Sequence, residues 1–547
     1  MGAAGAIPAA LRDLLRAAEE RGLRGEADAA LVDLLAVQRT LTDDEQRLAV
    51  AEQAAVLTGW GGTPETAQQI CDLALAAAGS AQVRGGVLLA RGRATAGPER
   101  RRVYTQALTE FSVADDIRGK ALALGHLAFP YEDDDEITHA YRERLGRDAF
   151  RLAVCAADPY AMAVCAGNLA ACETFLGRPT ALRRWRRAAE DLPADLDARA
   201  ATAVTMNYLN WALTAAGLGD YGQAARVARQ GSAVSRGTVA DRTFAAIEAF
   251  VCWRRGELAE AAERAAEVVA APGRPAYAVV RLVIAACDLE RAPRPEPAQL
   301  DGAVRRLATV SEQLSATALG VQARVRAARR EPQPARALVP ALARARQRER
   351  RFGWEDLVVA LAELDPEQAA GALAELGDLW PVGARARAAR QYVDGLVAGP
   401  AGYPVLVAAG EAFLALPEPL TAGRALHAAA AVAPDVRAGN ALRRQAIEVY
   451  RAAGADRSLA GVLRDRRLHR SAGSPRLPAD QRYAVSAGLT PREHEIAVLA
   501  QRGLTAREIA AELSLSAGTV RNHLLHIRQK FGGIPKRRLA ELLAPEV

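Results

Sequence analysis

Two four-residue signatures near the carboxyl end constrain this 547-residue chain more than any other feature. Thr490-Pro491-Arg492-Glu493 and Thr505-Ala506-Arg507-Glu508 each place a Thr three residues before a Glu. In that arrangement the hydroxyl and the carboxylate satisfy each other's otherwise orphaned backbone N–H groups at a helix start. Pro491 suits the first helical position, and Gly503 suits the left-handed residue that closes a helix. Ser516 offers an N-cap for a third helix. The pattern predicts three short helices in succession between Leu489 and Gly532.

The third of these, Ala517 to Phe531, has two faces. Val520, Leu524, Ile527 and Phe531 follow the i, i+4, i+7, i+11 spacing of a buried stripe, and Ile509, Ala510 and Leu513 face inward from the helix before it. Away from the stripe lie Arg521, Asn522, Leu525, Arg528 and Gln529. A helix-turn-helix places such a face in the DNA major groove. Arg pairs with guanine O6/N7 and Asn with adenine N6/N7, which makes Arg521 and Asn522 the expected base readers. Thr505, Arg507, Thr519, His523, Arg528 and Lys530 are expected to meet phosphates.

Leu489-Thr490-Pro491-Arg492-Glu493, Gly503-Leu504-Thr505, Glu508-Ile509-Ala510 and Thr519-Val520-Arg521-Asn522-His523 together resemble the LuxR/FixJ (GerE-type) DNA-binding domain. The resemblance implies a four-helix domain that binds duplex DNA as a homodimer. The fourth helix would be Arg537 to Leu543, pairing through Leu539, Leu542 and Leu543. The family often carries a basic residue where this chain has Leu525, so base contact there would be apolar, as with a thymine methyl. GGIPKRR also replaces the Ser-Arg pair that often caps the fourth helix. The chain is similar in length and layout to the large LuxR-type regulators of the LAL group. Those begin with a P-loop ATPase, and no G-x-x-x-x-G-K-[ST] occurs here: Gly119-Lys120 has Ala114 and Ala121 at the other required positions. No cofactor is expected.

Charge agrees with a polyanion at this end. From Gly461 to Val547 there are 15 Lys/Arg against 8 Asp/Glu, so the whole formal excess of +7 lies there and residues 1–460 balance. Lys120, Lys530 and Lys536 are the only lysines; the basicity is arginine. Six cysteines, at 71, 155, 165, 172, 252 and 287, form no C-x-x-C pair and read as small hydrophobes in a reduced, cytoplasmic protein. The uncharged run Ala200 to Gly219 is long enough to span a bilayer, but Thr202, Thr205, Asn207, Asn210 and Thr214 make it a packed helix instead. A soluble chain with no membrane partner is expected.

From about Pro8 to Arg464 the sequence reads as amphipathic helices punctuated by Gly, Pro and Asp. Aromatics are only 5% of residues, and Ala-rich helices packed through small side chains are expected. Two segments repeat: a helix, a turn (Gly219-Asp220-Tyr221 or Gly256-Glu257-Leu258), then an Ala-rich helix, 37 residues apart. They resemble tetratricopeptide (TPR) repeats, with Ala224 and Ala261 at the small position and Leu176-Gly177 as a fainter copy. Stacked hairpins would share a core and a concave surface; an irregular helical domain is the alternative. The Arg cluster at 342–351 reads as a helix with a solvated face. The fold class is therefore all-α: a TPR-like repeat solenoid at 1–464, a linker at 465–487, and a four-helix DNA reader at 488–547.

A transcriptional regulator follows, with the body sensing a protein or small-molecule effector. The other reading is a repeat scaffold with a vestigial reader. Glu132-Asp133-Asp134-Asp135-Glu136 is the densest acidic cluster, but five adjacent carboxylates read as a solvated segment, and no enzyme activity is expected.

Overall fold

The computed structural model describes residues 7–23, 26–59, 61–130, 137–191, 198–235, 239–269, 274–292, 298–308, 311–472, 489–501, 504–513 and 515–530. Among these residues every regular element is a helix and no strand occurs, so the all-α expectation holds. The chain divides into two compact units, Met1–Val462 and Leu463–Val547. Helix Asp456–Ala472 occupies the first eight residues of the stretch expected as a linker. Its Leu-, Arg- and Ala-rich sequence, free of Gly and Pro beyond Gly461, suits a helix; positions 473–487 lie outside the described residues.

In the larger unit the two hairpins read from sequence are present: Ala198–Leu218 with Tyr221–Val234, and Val239–Arg254 with Leu258–Val269. Their turns are alike in detail. Gly219 N–H donates to the Ala216 carbonyl at 3.1 Å and Asp220 N–H to Ala215 at 2.9 Å; Gly256 and Glu257 do the same to Trp253 and Cys252 at 3.0 and 2.9 Å. This pair of bonds closes a helix through a left-handed residue, and φ is +88° at Gly219 and +73° at Gly256. Ala224 and Ala261 are fully buried, as the repeat reading required.

The same bond pair recurs at turns with little sign of it in the sequence. Gly61/Gly62, Gly177/Arg178 and Gly454/Ala455 use glycine at the left-handed position, whereas Asp115/Asp116, Arg330/Glu331 and Glu349/Arg350 use other residues. Successive first helices of the hairpins stack side by side, from Pro159–Phe175 through Ala198–Leu218, Val239–Arg254, Arg274–Arg291, Glu312–Ala328 and Glu355–Leu364 to Ala384–Val397. Polar side chains join neighbours: Asn207 Nδ2 donates to the carbonyls of Ala163 and Ala188, which is what its place in the long uncharged run serves. The Cys165 and Cys172 thiols, seven apart on one face, donate to Ala121 and Ala128. Burial pushes both thiols up to about 12, so they pack and do not react. No described helix is long and apolar enough to cross a membrane. The Arg cluster at 342–351 is half solvated: Arg344 and Arg346 are exposed, but Arg348 and Arg350 are buried, Arg350 donating to the Phe352 carbonyl at 2.6 Å.

The array does not leave its turns open. Ala384–Val397 returns to pack on Ala198–Leu218, and the row of turns meets a later stretch of chain. A Cβ on Gly177 would lie 2.6 Å from Val382, and one on Gly256 2.5 Å from Pro419. These glycines are needed twice, for their φ and for the closeness of the next layer. Beneath them lies a buried charge network. Arg385 donates to Glu418 and to Asp356, each at 2.6 Å; Asp356 also binds Arg254 and accepts from Thr317 at 2.7 Å; Tyr221 OH donates to Glu418. Tyr221 and Glu418 are 197 residues apart. A second group repeats the theme, with Arg424 between Glu290 (2.8 Å) and Glu363 (3.1 Å), and Arg457 donating to the Leu289 carbonyl, 168 residues away.

Buried ion pairs add little over apolar packing but are costly to break. Glu418→Ala should therefore lower the unfolding free energy of the body by about 3–5 kcal/mol, by leaving Arg385 buried with one of its two carboxylates gone and the Tyr221 hydroxyl without its acceptor; urea unfolding of the full chain measures this. Burial pushes the Asp356 carboxyl up, but Arg254 and Arg385 and the hydrogen bonds from Arg254 and Thr317 outweigh it and hold the group well below the usual carboxylate range. A depressed folded-state value contributes stability above the unfolded pKa of about 3.9, lost as pH falls through the folded value. Stability from this site should thus be flat from pH 8 to 5 and decline below about pH 4, with a shallower acid decline in Asp356→Asn.

Candidate nucleic-acid interface

The first of the three reader helices in the smaller unit begins with a turn that does several tasks. Thr490 N–H donates to Glu493 Oε2 at 2.6 Å and Glu493 N–H donates to Thr490 Oγ1 at 3.1 Å, completing the first capping box. The second is equally formed, with Thr505 N–H donating to Glu508 Oε2 at 2.6 Å. Ser516 caps the third helix by accepting from Thr519 N–H at 3.0 Å. The helices are Pro491–Gln501, Ala506–Glu512 and Ala517–Lys530. Local hydrogen-bonding chemistry thus starts all three where the sequence said they would start.

Leu489, Ile496, Ala497, Ile509, Ala510, Val520 and Ile527 form the core, with Leu513 and Leu524 half-buried against it. Val520 and Ile527 are fully buried, which fixes the rotation of the third helix about its own axis. Opposite them Arg521, Asn522, Leu525, His526 and Gln529 are exposed, and His523 is half-buried. Leu525 keeps half of its surface in solvent, an apolar side chain among polar ones. Arg521 Nε donates to the Ala517 carbonyl of its own helix at 3.2 Å. Thr505, Arg507 and Thr519 are exposed, Thr505 engaged in its capping box and Thr519 Oγ1 within 2.8 Å of Ser516 Oγ. The three expected base readers therefore share one solvent-facing stripe at helical spacing.

Lys530 differs from the other expected phosphate ligands. Its ammonium donates to Glu493 Oε2 at 2.6 Å, linking the end of the third helix to the start of the first. Burial pushes the Glu493 carboxyl up, but the bonds from Lys530 and Thr490 prevail and hold it below the usual range. Arg492, read only as part of a capping box, donates to the Leu513 carbonyl at 2.7 Å and to Glu495 at 2.6 Å. Neither tertiary bond had a sequence signal, because 37 and 21 residues separate the partners. Gly503, Phe531, the Arg528 side chain and the helix expected from Arg537 to Leu543, with Leu539, Leu542 and Leu543, lie outside the described residues, as does the acidic run 132–136.

No curated protein sequence matches the chain. Among solved structures, one described as the apo form of the quorum sensor NprR from B. thuringiensis is similar at 13% identity, covering 68% of this chain and 98% of that one with a TM-score of 0.33. Residues 487–541 match the family described as bacterial regulatory proteins, luxR family. The three capped helices and the exposed stripe Arg521-Asn522-Leu525 fall within that span, so the carboxyl-terminal unit carries a LuxR-family helix-turn-helix domain.

Proposed function

We propose that this chain is a transcriptional regulator that lays its third carboxyl-terminal helix, Ala517–Lys530, in the major groove of duplex DNA. The observation that carries the reading is the division of that helix into buried Val520 and Ile527 on one side and exposed Arg521, Asn522 and Leu525 on the other. Arg521 and Asn522 read base edges, and Leu525 packs on a thymine methyl. Thr505, Arg507, Thr519, His523 and Arg528 meet phosphates, giving register without sequence information. The formal charge excess of the last 87 residues supports the same partner.

The regulator acts as a homodimer on DNA through Leu539, Leu542 and Leu543, in the cytoplasm, with the repeat body receiving a protein or small-molecule effector. It performs no catalysis and uses no cofactor. The domain bounds are 1–464, 465–487 and 488–547.

Selection of duplexes from a random pool by the full chain gives the site and half-site spacing. Arg521→Ala or Asn522→Ala should then cost about 1–3 kcal/mol at one base pair, read as lost discrimination with nonspecific affinity retained. Val520→Asp should instead unfold the small unit by burying an unpaired charge, visible as loss of its melting transition. Affinity of the unaltered chain should fall steeply with salt through counterion release. Salt-insensitive or absent binding to every duplex overturns the reading in favour of a repeat scaffold with a vestigial reader.

A further inference from the structure

The first turn of helix Pro491–Gln501, Thr490 to Glu493, holds the ends of the other two reader helices. Arg492 grips the carboxyl end of the second helix through the Leu513 carbonyl. Glu493 grips the carboxyl end of the third through Lys530, using the same Oε2 that accepts the Thr490 N–H. The Glu493 side chain is 7% exposed and that of Lys530 37%, so the pair is partly shielded from solvent. We propose that Lys530 is a positioning residue that, through Glu493, sets the tilt of the DNA-reading helix, and not a phosphate ligand. This inference rests on the regulator reading above.

The argument is one of leverage. Arg521 and Asn522 lie eight to nine residues before Lys530, about 12–14 Å along a helix rising 1.5 Å per residue. A change of about 10° at the Lys530 end displaces the readers by about 2 Å, more than the distance tolerance of a hydrogen bond to a base edge. Val520 and Ile527 settle which face is buried, but apolar contacts are non-directional, and the Lys530–Glu493 bond adds a specific tether between the end of the third helix and the start of the first. An ammonium already donating to a shielded carboxylate would also have to give up that bond to meet a phosphate.

The test uses the full chain, its selected duplex and a random-sequence duplex, with Lys530→Gln, Glu493→Gln, the double variant and Lys530→Arg. Gln at 493 keeps the capping box while removing the charge. The expected result is a loss of about tenfold on the selected duplex for either single variant, with affinity for the random duplex unchanged. The double variant should lose no more than a single one, because both remove one bond. The log–log salt slope should not change, and Lys530→Arg should restore most of the affinity.

A phosphate role gives a different pattern, and that pattern overturns the proposal. Lys530→Gln would flatten the salt slope by about 0.9 and weaken both duplexes alike, while Glu493→Gln would leave binding unchanged or tighten it. Wild-type affinity in all variants overturns it too. If Glu493→Gln fails to fold in a thermal melt, the salt slope of Lys530→Gln decides alone, because Arg at 530 would restore a phosphate contact as well. Absence of salt-dependent binding by the unaltered chain marks failure of the regulator reading itself.

Discussion

The hydrogen-bonded charge cluster of Asp356, Arg385, Glu418 and Arg254 holds together parts of the body that the chain brings together only after a long course. A stack of hairpins satisfied only between neighbours would have no reason to bring residue 221 against residue 418. Here the Tyr221 hydroxyl ends on Glu418, and Asp356 takes a guanidinium from each of two helices. Charges removed from water this completely tolerate few alternative arrangements, because any other register leaves one of them unpaired. Removing any one member therefore leaves a buried charge short of a partner.

Small residues make that winding sterically possible. Gly177 and Gly256 end their helices in the left-handed region and lack the Cβ that would strike Val382 or Pro419. The backbone requirement and the packing requirement coincide at the same atoms. Elsewhere in the body, Gly92 and Gly231 lie so close to Tyr104 and Phe244 that the aromatic ring fills the place of a side chain. A chain with few aromatics uses glycine and alanine to let each ring pack against backbone.

The small unit follows a different economy. Its helices are short, the first two started by a hydroxyl–carboxylate exchange within three residues and the third by the Ser516 hydroxyl, so most of its described part is legible in the sequence. Periodicity alone points Val520, Ile527, Ile509 and Ala510 inward, and they are buried. It points Arg521, Asn522 and Leu525 outward, and they are exposed. Lys530 could not be placed this way. A lysine near the end of a basic face reads as a phosphate ligand, and only the folded chain brings Glu493 to within 2.6 Å of it.

Interactions closed within a few residues were determined by the sequence itself: the capping boxes, the inward and outward faces of the reader, the two glycine-centred hairpins with Ala224 and Ala261 in their cores. Their physics is local, since a hydroxyl, a left-handed φ or a 3.6-residue period needs no distant partner. Repeats whose turns carry Asp115, Arg330 or Glu349 in place of glycine escaped that logic, because those residues adopt the left-handed conformation only when the surrounding packing demands it. The turn-to-turn closure and its buried charges belong wholly to the tertiary structure. Arginines and carboxylates scattered along an Arg-rich sequence look like surface charge until folding sets them 2.6 Å apart out of water, where each becomes indispensable to the other.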